Sequence, residues 1–380
     1  MHDQRVCAPF HACDMVSATG ICDIEVSIMT QPSVRVSEDV SKKISNMGII
    51  CAFLVLFIHL PRSISPNYIA TYISNGIGNI AVPFFFTVSG YLLAGHFTEE
   101  GWYSVALIKR IRTLYIPMVI WCVLYFLWGS LVIPMLSNIV HGRFLFANIS
   151  LHVGIGTVSR LFALHPFAEP YLGVLWFVKT LLVFVAFAPI LRRISSPIVI
   201  LCMFVAQLLL GPTLGGTPPP LRFTLLKGYF PICGASFFCL GMFLRSHNYM
   251  LKIPRKIGWS FIAIGIVLMV LKTIIQEPLL KRLTFFYIPF LMAGAWFLCP
   301  TKLFPAVLVK ASFAVYILHM FVIGTLTILF TYLWGDIWVD MDMSCYVALG
   351  LLSFTVCVLL SFMANKLLPQ WLSNILFGGR

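Results

Sequence analysis

The sequence predicts an all-α fold, a polytopic membrane helix bundle of about ten transmembrane helices with both termini cytosolic. Three observations carry this. Hydrophobic residues make up 60% of the 380 residues and charged residues 10%, whereas a soluble domain carries roughly a quarter charged. The apolar residues gather in runs approaching the about 20 that cross a hydrocarbon core. These runs do not alternate: Phe84, Phe85 and Phe86 are consecutive, where a barrel strand alternates faces. In lipid the backbone must satisfy its own polar groups, so the runs are helices.

In chain order the predicted spans are 47–61, 73–95, 112–134, 172–191, 196–212, 228–246, 257–275, 284–299, 307–331 and 344–367. Residues 1–43 are polar and aperiodic, contain Cys7, Cys13 and Cys22, and lack a signal peptide's layout. They are expected to form a disordered cytosolic tail, with Met29 or Met47 as alternative starts. Residues 44–370 form the membrane domain and 371–380 a short cytosolic tail. With the N-terminus inside, the inner loops carry sixteen Lys and Arg residues against eight outside, the expected cytoplasmic bias. One outer loop carries only acids, Asp336, Asp340 and Asp342. A long outer segment, 135–171, holds His141, His152, His165, Arg160 and Glu169. Its length suggests a functional loop over the outer mouth.

The net charge of +13 is accounted for by this loop bias. No basic block is interleaved with exposed aromatics, so no nucleic-acid partner is expected. Cys51, Cys122, Cys202, Cys239 and Cys357 lie in apolar runs and behave as small hydrophobes. No Cys/His pattern has metal-site spacing, so no metal is expected.

Ionisable groups inside spans are costly and therefore informative. Three stand out: His59 closing the first span, Lys179, and His319 near the middle of the ninth. Tyr316 lies three residues before His319 and shares its helix face, with Ser312 on the same stripe. A histidine can accept a hydroxyl proton and return it near neutral pH, as acyl transfer to an alcohol requires; each is also a candidate packing residue. Ser89 and Gly90 form a polar break that either lines a cavity or permits close helix packing. Lys179, three residues after Trp176, either snorkels to the interface, the favoured reading, or meets an anionic part of a substrate.

Together these motifs resemble the acyltransferase-3 family of integral membrane acyltransferases, in particular its bacterial surface-glycan O-acetyltransferase branch. The resembling pieces are Val55-Leu56-Phe57-Ile58-His59, the run Pro83 to Tyr91, the cluster Lys109-Arg110-Ile111-Arg112 followed by Pro117, Leu175-Trp176-Phe177 with Pro189, and Tyr316-Ile317-Leu318-His319. The resemblance implies a multi-pass protein of the bacterial inner membrane that uses cytosolic acetyl-CoA as acyl-donor co-substrate and acetylates a glycan or lipid-linked sugar. It makes His59 the catalytic candidate; from their shared helix face, His319 and Tyr316 are expected to orient or polarise in the same cavity. It also maps the family's basic pair to Lys109 and Arg112. With Arg110 these would hold the CoA phosphates, as guanidinium and ammonium groups can, although topology alone also places basic residues there. Trp176, Lys179, Ser89 and Gly90 are candidate cavity residues. One position departs from the pattern: Gly48 stands eleven residues before His59, where members commonly carry Arg. Lys42 or Lys43 is the candidate substitute. A transporter of a glycan or lipid intermediate is the rival class, although no inverted repeat is evident. A non-catalytic relative is the third reading.

Overall fold

The computed structural model describes residues 36–61, 72–74, 76–140, 151–164, 170–210, 232–247, 254–274, 284–335 and 343–377. Most of the expected tail, with Cys7, Cys13 and Cys22, lies outside these residues, as do His141, His165, Glu169, Asp336, Asp340 and Asp342.

The described residues contain helices and no strand. Helix α1 spans Glu38–Ile58, nine residues earlier than expected. Its start is set by Ser37, whose hydroxyl accepts from the Val40 amide at 3.4 Å, with Glu38 and Asp39 in the first turn, where carboxylates suit the helix dipole. A 3-10 turn, Ile77–Ile80, leads into α2, Ala81–Ala94.

The next apolar run is one long helical stretch. It comprises α3 (Trp102–Arg110), a π-helical segment Ile111–Tyr115, α4 (Ile116–Leu127), a second π-helical segment Trp128–Val132, and α5 (Ile133–Val140). Pro117 and Pro134 explain the interruptions. Each lacks an N–H and crowds the carbonyl four residues earlier, so the helix widens just before it.

Helix α6 is Ile155–Leu161. A 3-10 turn, Gly173–Leu175, precedes α7 (Trp176–Ala186), which bends by 74° into α8 (Ala188–Ile194) at Phe187, where Pro189 follows. The remaining helices are α9 (Pro197–Leu210), α10 (Ile232–Ser246), α11 (Arg255–Ile274), α12 (Thr284–Leu298), α13 (Ala306–Trp334), α14 (Met343–Leu367) and α15 (Gln370–Phe377).

Each of the ten predicted spans overlaps helix among the described residues. Among the described residues, five helices are long and apolar enough to cross a membrane, or six if the bent pair α7–α8 counts as one. The others are shorter or more polar.

Of the segment 135–171, the described helix α6 packs against α4. Tyr115 donates to the Phe162 carbonyl at 3.2 Å, Phe126 meets Tyr171 edge-on at 5.1 Å, and Arg160 lies 5.4 Å from the Tyr171 ring. The apolar and aromatic residues of the segment find a partner there that bulk water would not provide. The expected C-terminal tail is mostly helical: α15 buries Phe377, and Trp121 donates its indole N–H to the Leu376 carbonyl at 2.8 Å.

The core is built on two seams. Between α2 and α10, backbone meets backbone. A Cβ at Gly90 would strike the Phe238 carbonyl, and one at Gly241 would strike the Thr87 carbonyl. Small residues let membrane helices approach this closely. Around the contact, Phe86, Phe237 and Phe238 are fully buried.

Between α1 and α13 the joint is polar at its ends. Buried Asn46 donates to the carbonyls of Pro300 at 3.1 Å and Lys302 at 2.8 Å and accepts from the Phe304 amide at 2.9 Å. One side chain thus holds the loop that starts α13 and fixes the register of the two helices.

Candidate active site

Histidine 59 is the residue on which α1 ends. Its φ of −100° and ψ of 0° leave the helix, and its amide donates to the Leu56 carbonyl at 3.1 Å. The histidine expected to be buried is exposed, because it lies at the end of α1, where the chain leaves the helix. Its preceding turn is held by Tyr346 of α14, which donates to the Phe57 carbonyl at 2.7 Å, one of the carbonyls a helix end leaves unpaired.

Histidine 319 is the opposite case, fully buried on α13. The two imidazole rings lie 5.2 Å apart between centroids, tilted by 39°. The Nδ1 of His319 lies 3.2 Å from the Val315 carbonyl. A carbonyl can only accept, so Nδ1 carries a proton. No hydrogen-bond partner among the described residues reaches the His319 Nε2. α1 and α13 run parallel, so residues distant along each helix meet at the same level. Gly48 and Lys310 flank one cavity, and His59 meets His319 further along.

That cavity has a volume of about 410 Å³. Its walls are mostly apolar, with Phe84, Phe85, Phe177, Leu181 and Phe313 among them. Its polar lining is Ser45, Ser89, Ser312 and Tyr316, and its charged lining is Arg110 and Lys310. A second cavity of about 440 Å³ shares Leu92 and Arg110 with it and is also lined by Lys109, Arg245, His96 and Glu99. In this second cavity Glu99 pairs with His96 at 3.0 Å, and Arg245 donates to the Tyr91 hydroxyl at 3.2 Å.

The expected site residues divide. Ser89 and Tyr316 line the first cavity. Tyr316 spends its hydroxyl on the Val174 carbonyl, so in this structure it fastens α13 to the 3-10 turn before α7. Gly90 does not line the cavity; it is the close-packing residue against α10. Neighbouring helical residues point about 100° apart, so Ser89 and Gly90 serve different faces. Trp176 and Lys179 are half-buried on α7 and are not among the lining residues; the Trp176 ring lies 6.4 Å from that of Phe86.

The basic cluster also divides. Lys109 and Arg112 are exposed and share a shallow outward face, whereas Arg110 is half-buried between the two cavities. Ordinary helical spacing gives this divergence: Lys109 and Arg112 are three residues apart and share a face, while Arg110 points about 100° away from Lys109. Among the described residues, none hydrogen-bonds or pairs with the Arg110 guanidinium.

Gly48 lines the first cavity, and a Cβ there would meet nothing within 4 Å. Neither Lys42 nor Lys43 reaches that space. Lys42 pairs with Glu38 at 2.6 Å. Lys43 donates to the Trp296 carbonyl at 3.2 Å and sits 5.6 Å from the Trp296 ring.

A family model described as an acyltransferase domain matches residues 44–362. The chain belongs to the acyltransferase-3 family. Neither a curated protein nor a solved structure matches the chain significantly. The match to the acyltransferase domain begins inside α1 and ends inside α14, so it encloses the histidine pair, the first cavity, the Asn46 joint and every residue lining the second cavity but Val36. With its several apolar helices able to span a bilayer, the chain is a membrane protein carrying an acyltransferase domain.

Sequence reasoning passed over two residues of this acyltransferase domain. Lys310 counted only as a loop charge, although Lys310, Phe313 and Tyr316 recur at the three-residue spacing that marks one helix face. Asn46 gave no signal beyond its polarity, since its partners are some 255 residues away in sequence.

Proposed function

We propose that this protein transfers an acetyl group from cytosolic acetyl-CoA to a hydroxyl of a cell-surface glycan or lipid-linked sugar, with His59 as general base. The observation that carries the reading is the His59–His319 pair, 5.2 Å apart, one helix face along from a cavity with basic lining. An exposed imidazole at a helix end can meet an acceptor, and a buried imidazole beside it can hold it in place. Removing a hydroxyl proton in this way contributes about 10²–10⁴-fold to rate.

The residues present suit a phosphorylated thioester. Arg110 offers a guanidinium with no counter-ion among the described residues, and the apolar walls suit the donor's uncharged arm. CoA supplies the activated acyl group; the protein binds it and manages one proton. In the transfer, the acceptor oxygen bonds to the thioester carbonyl carbon and the carbon–sulfur bond breaks. The hydroxyl proton passes to His59 and then to the departing thiolate.

In this reading the protein sits in the bacterial inner membrane with both termini cytosolic, and the Arg110 end of the bundle faces the cytosol. The test is mass spectrometry of surface glycans from cells with and without the protein, together with acetyl-CoA binding by the purified chain. Loss of an acetyl ester in its absence, with binding by the pure protein, is expected. An unchanged glycan profile and no acetyl-CoA binding would contradict the reading; a transporter has no need of CoA.

A further inference from the structure

We propose that Lys310 is a donor-positioning residue: from α13 it faces the cavity that Arg110 enters from α3, and the two cations together hold an anionic phosphate group of the acyl donor. This rests on the acyl-CoA reading and adds a residue to it.

The argument starts from the cavity lining. Its two charged residues are both cationic, and no carboxylate lines it. Arg110 is half-buried and Lys310 lies at the exposed rim of the same cavity, and like charges lining one cavity repel each other. Such an arrangement is offset when an anion lies between them. No such anion comes from the protein: among the described residues neither Arg110 nor Lys310 has a hydrogen-bond or ion-pair partner. The one acidic residue lining the adjoining cavity, Glu99, is taken by His96. Lys310 also lies about one turn from the start of the 29-residue α13, whose unpaired amides add positive potential at that end.

The local construction keeps Lys310 in place. Asn46 pins the loop from Pro300 to Phe304 onto α1, and α13 begins at Ala306, immediately after it. The open space beside Gly48 lies in the same cavity. From Gly48 to His59 is eleven residues, about 16 Å along α1. A donor anchored by its phosphates at the Lys310 level must send an arm about that far to present its thioester to the histidines. The mostly apolar walls of the cavity suit such an arm.

The experiment is CoA binding to the full-length protein in lipid nanodiscs by titration calorimetry. Lys310→Ala is expected to raise the Kd for CoA about tenfold, about 1.4 kcal/mol. Lys310→Arg is expected to stay near wild type. Gly48→Arg in the Lys310→Ala background is expected to recover most of the loss, because it returns a cation to the same cavity. Lys302→Ala, which removes an exposed cation from the same end of α13, is expected to leave affinity unchanged. Wild-type protein that does not bind CoA would overturn the acyl-CoA reading and Lys310 with it. Wild-type binding that Lys310→Ala leaves intact, or that Lys302→Ala weakens equally, would overturn the Lys310 assignment alone.

Discussion

At the α2–α10 seam, Gly90 and Gly241 bring two backbones into contact, with fully buried phenylalanines packed around them. At the α1–α13 seam, Asn46 fastens one end through three hydrogen bonds, two histidines meet further along, and a cavity of about 410 Å³ lies between those levels. Glycine occurs on both sides of the comparison and does opposite things. Gly90 and Gly241 are small so that two helices can touch. Gly48 is small where nothing touches it, and the space it leaves belongs to the cavity. The first seam is a mechanical joint; the second holds a fixed register while keeping volume open, which an active site requires.

The comparison breaks most violently at Gly241. Gly241→Leu drives a side chain into the Thr87 carbonyl, a rigid backbone neighbour. The effect should exceed the about 1–3 kcal/mol of ordinary overpacking, and fluorescence-detected size exclusion should show loss of the monodisperse folded peak.

Asn46→Ala should come next. It leaves a buried amide and two carbonyls without partners, each worth about 1–3 kcal/mol. A loss of about 3 kcal/mol is expected as a lower melting temperature. Because Asn46 sets the register, transfer activity should fall even at temperatures where the variant is folded. Full activity in a destabilised but folded Asn46→Ala protein would show that the histidines do not depend on this joint.

Gly48→Ala should be the mildest change. It adds a methyl to open space and improves helix propensity by up to about 1 kcal/mol, so melting should hold or rise slightly. A large destabilisation would mean that the space beside Gly48 is not open.

Much of this was legible along single helices and little of it across them. The apolar runs and their helical nature follow from composition. The spacing from Gly48 to His59, and from Ser312 through Tyr316 to His319, follows from the helical repeat. Which helix lies beside which does not. Ser89 and Gly90 read as one polar break, but they sit on different faces, and only the position of α10 shows that Gly90 is packed. His59 read as buried because its helix is apolar; its exposure follows from the chain's turn at the helix end. Arg110 was grouped with Lys109 and Arg112 by charge; the helical repeat puts it on a different face, but only the neighbouring helices show that this face borders the two cavities. The segment 135–171 was read from its length and charge alone, and the contacts of its described part, such as that of Phe162 with Tyr115, are tertiary.

The most direct test is acetyl transfer by the purified protein in proteoliposomes, from labelled acetyl-CoA into membrane glycan extract, comparing wild type with His59→Ala at matched melting temperature and matched CoA affinity. The account predicts a rate loss of about 10²–10⁴ for His59→Ala, with donor binding unchanged because the basic cavity lies about three helical turns away. A His59→Ala protein that binds CoA and transfers acetyl at the wild-type rate would contradict it.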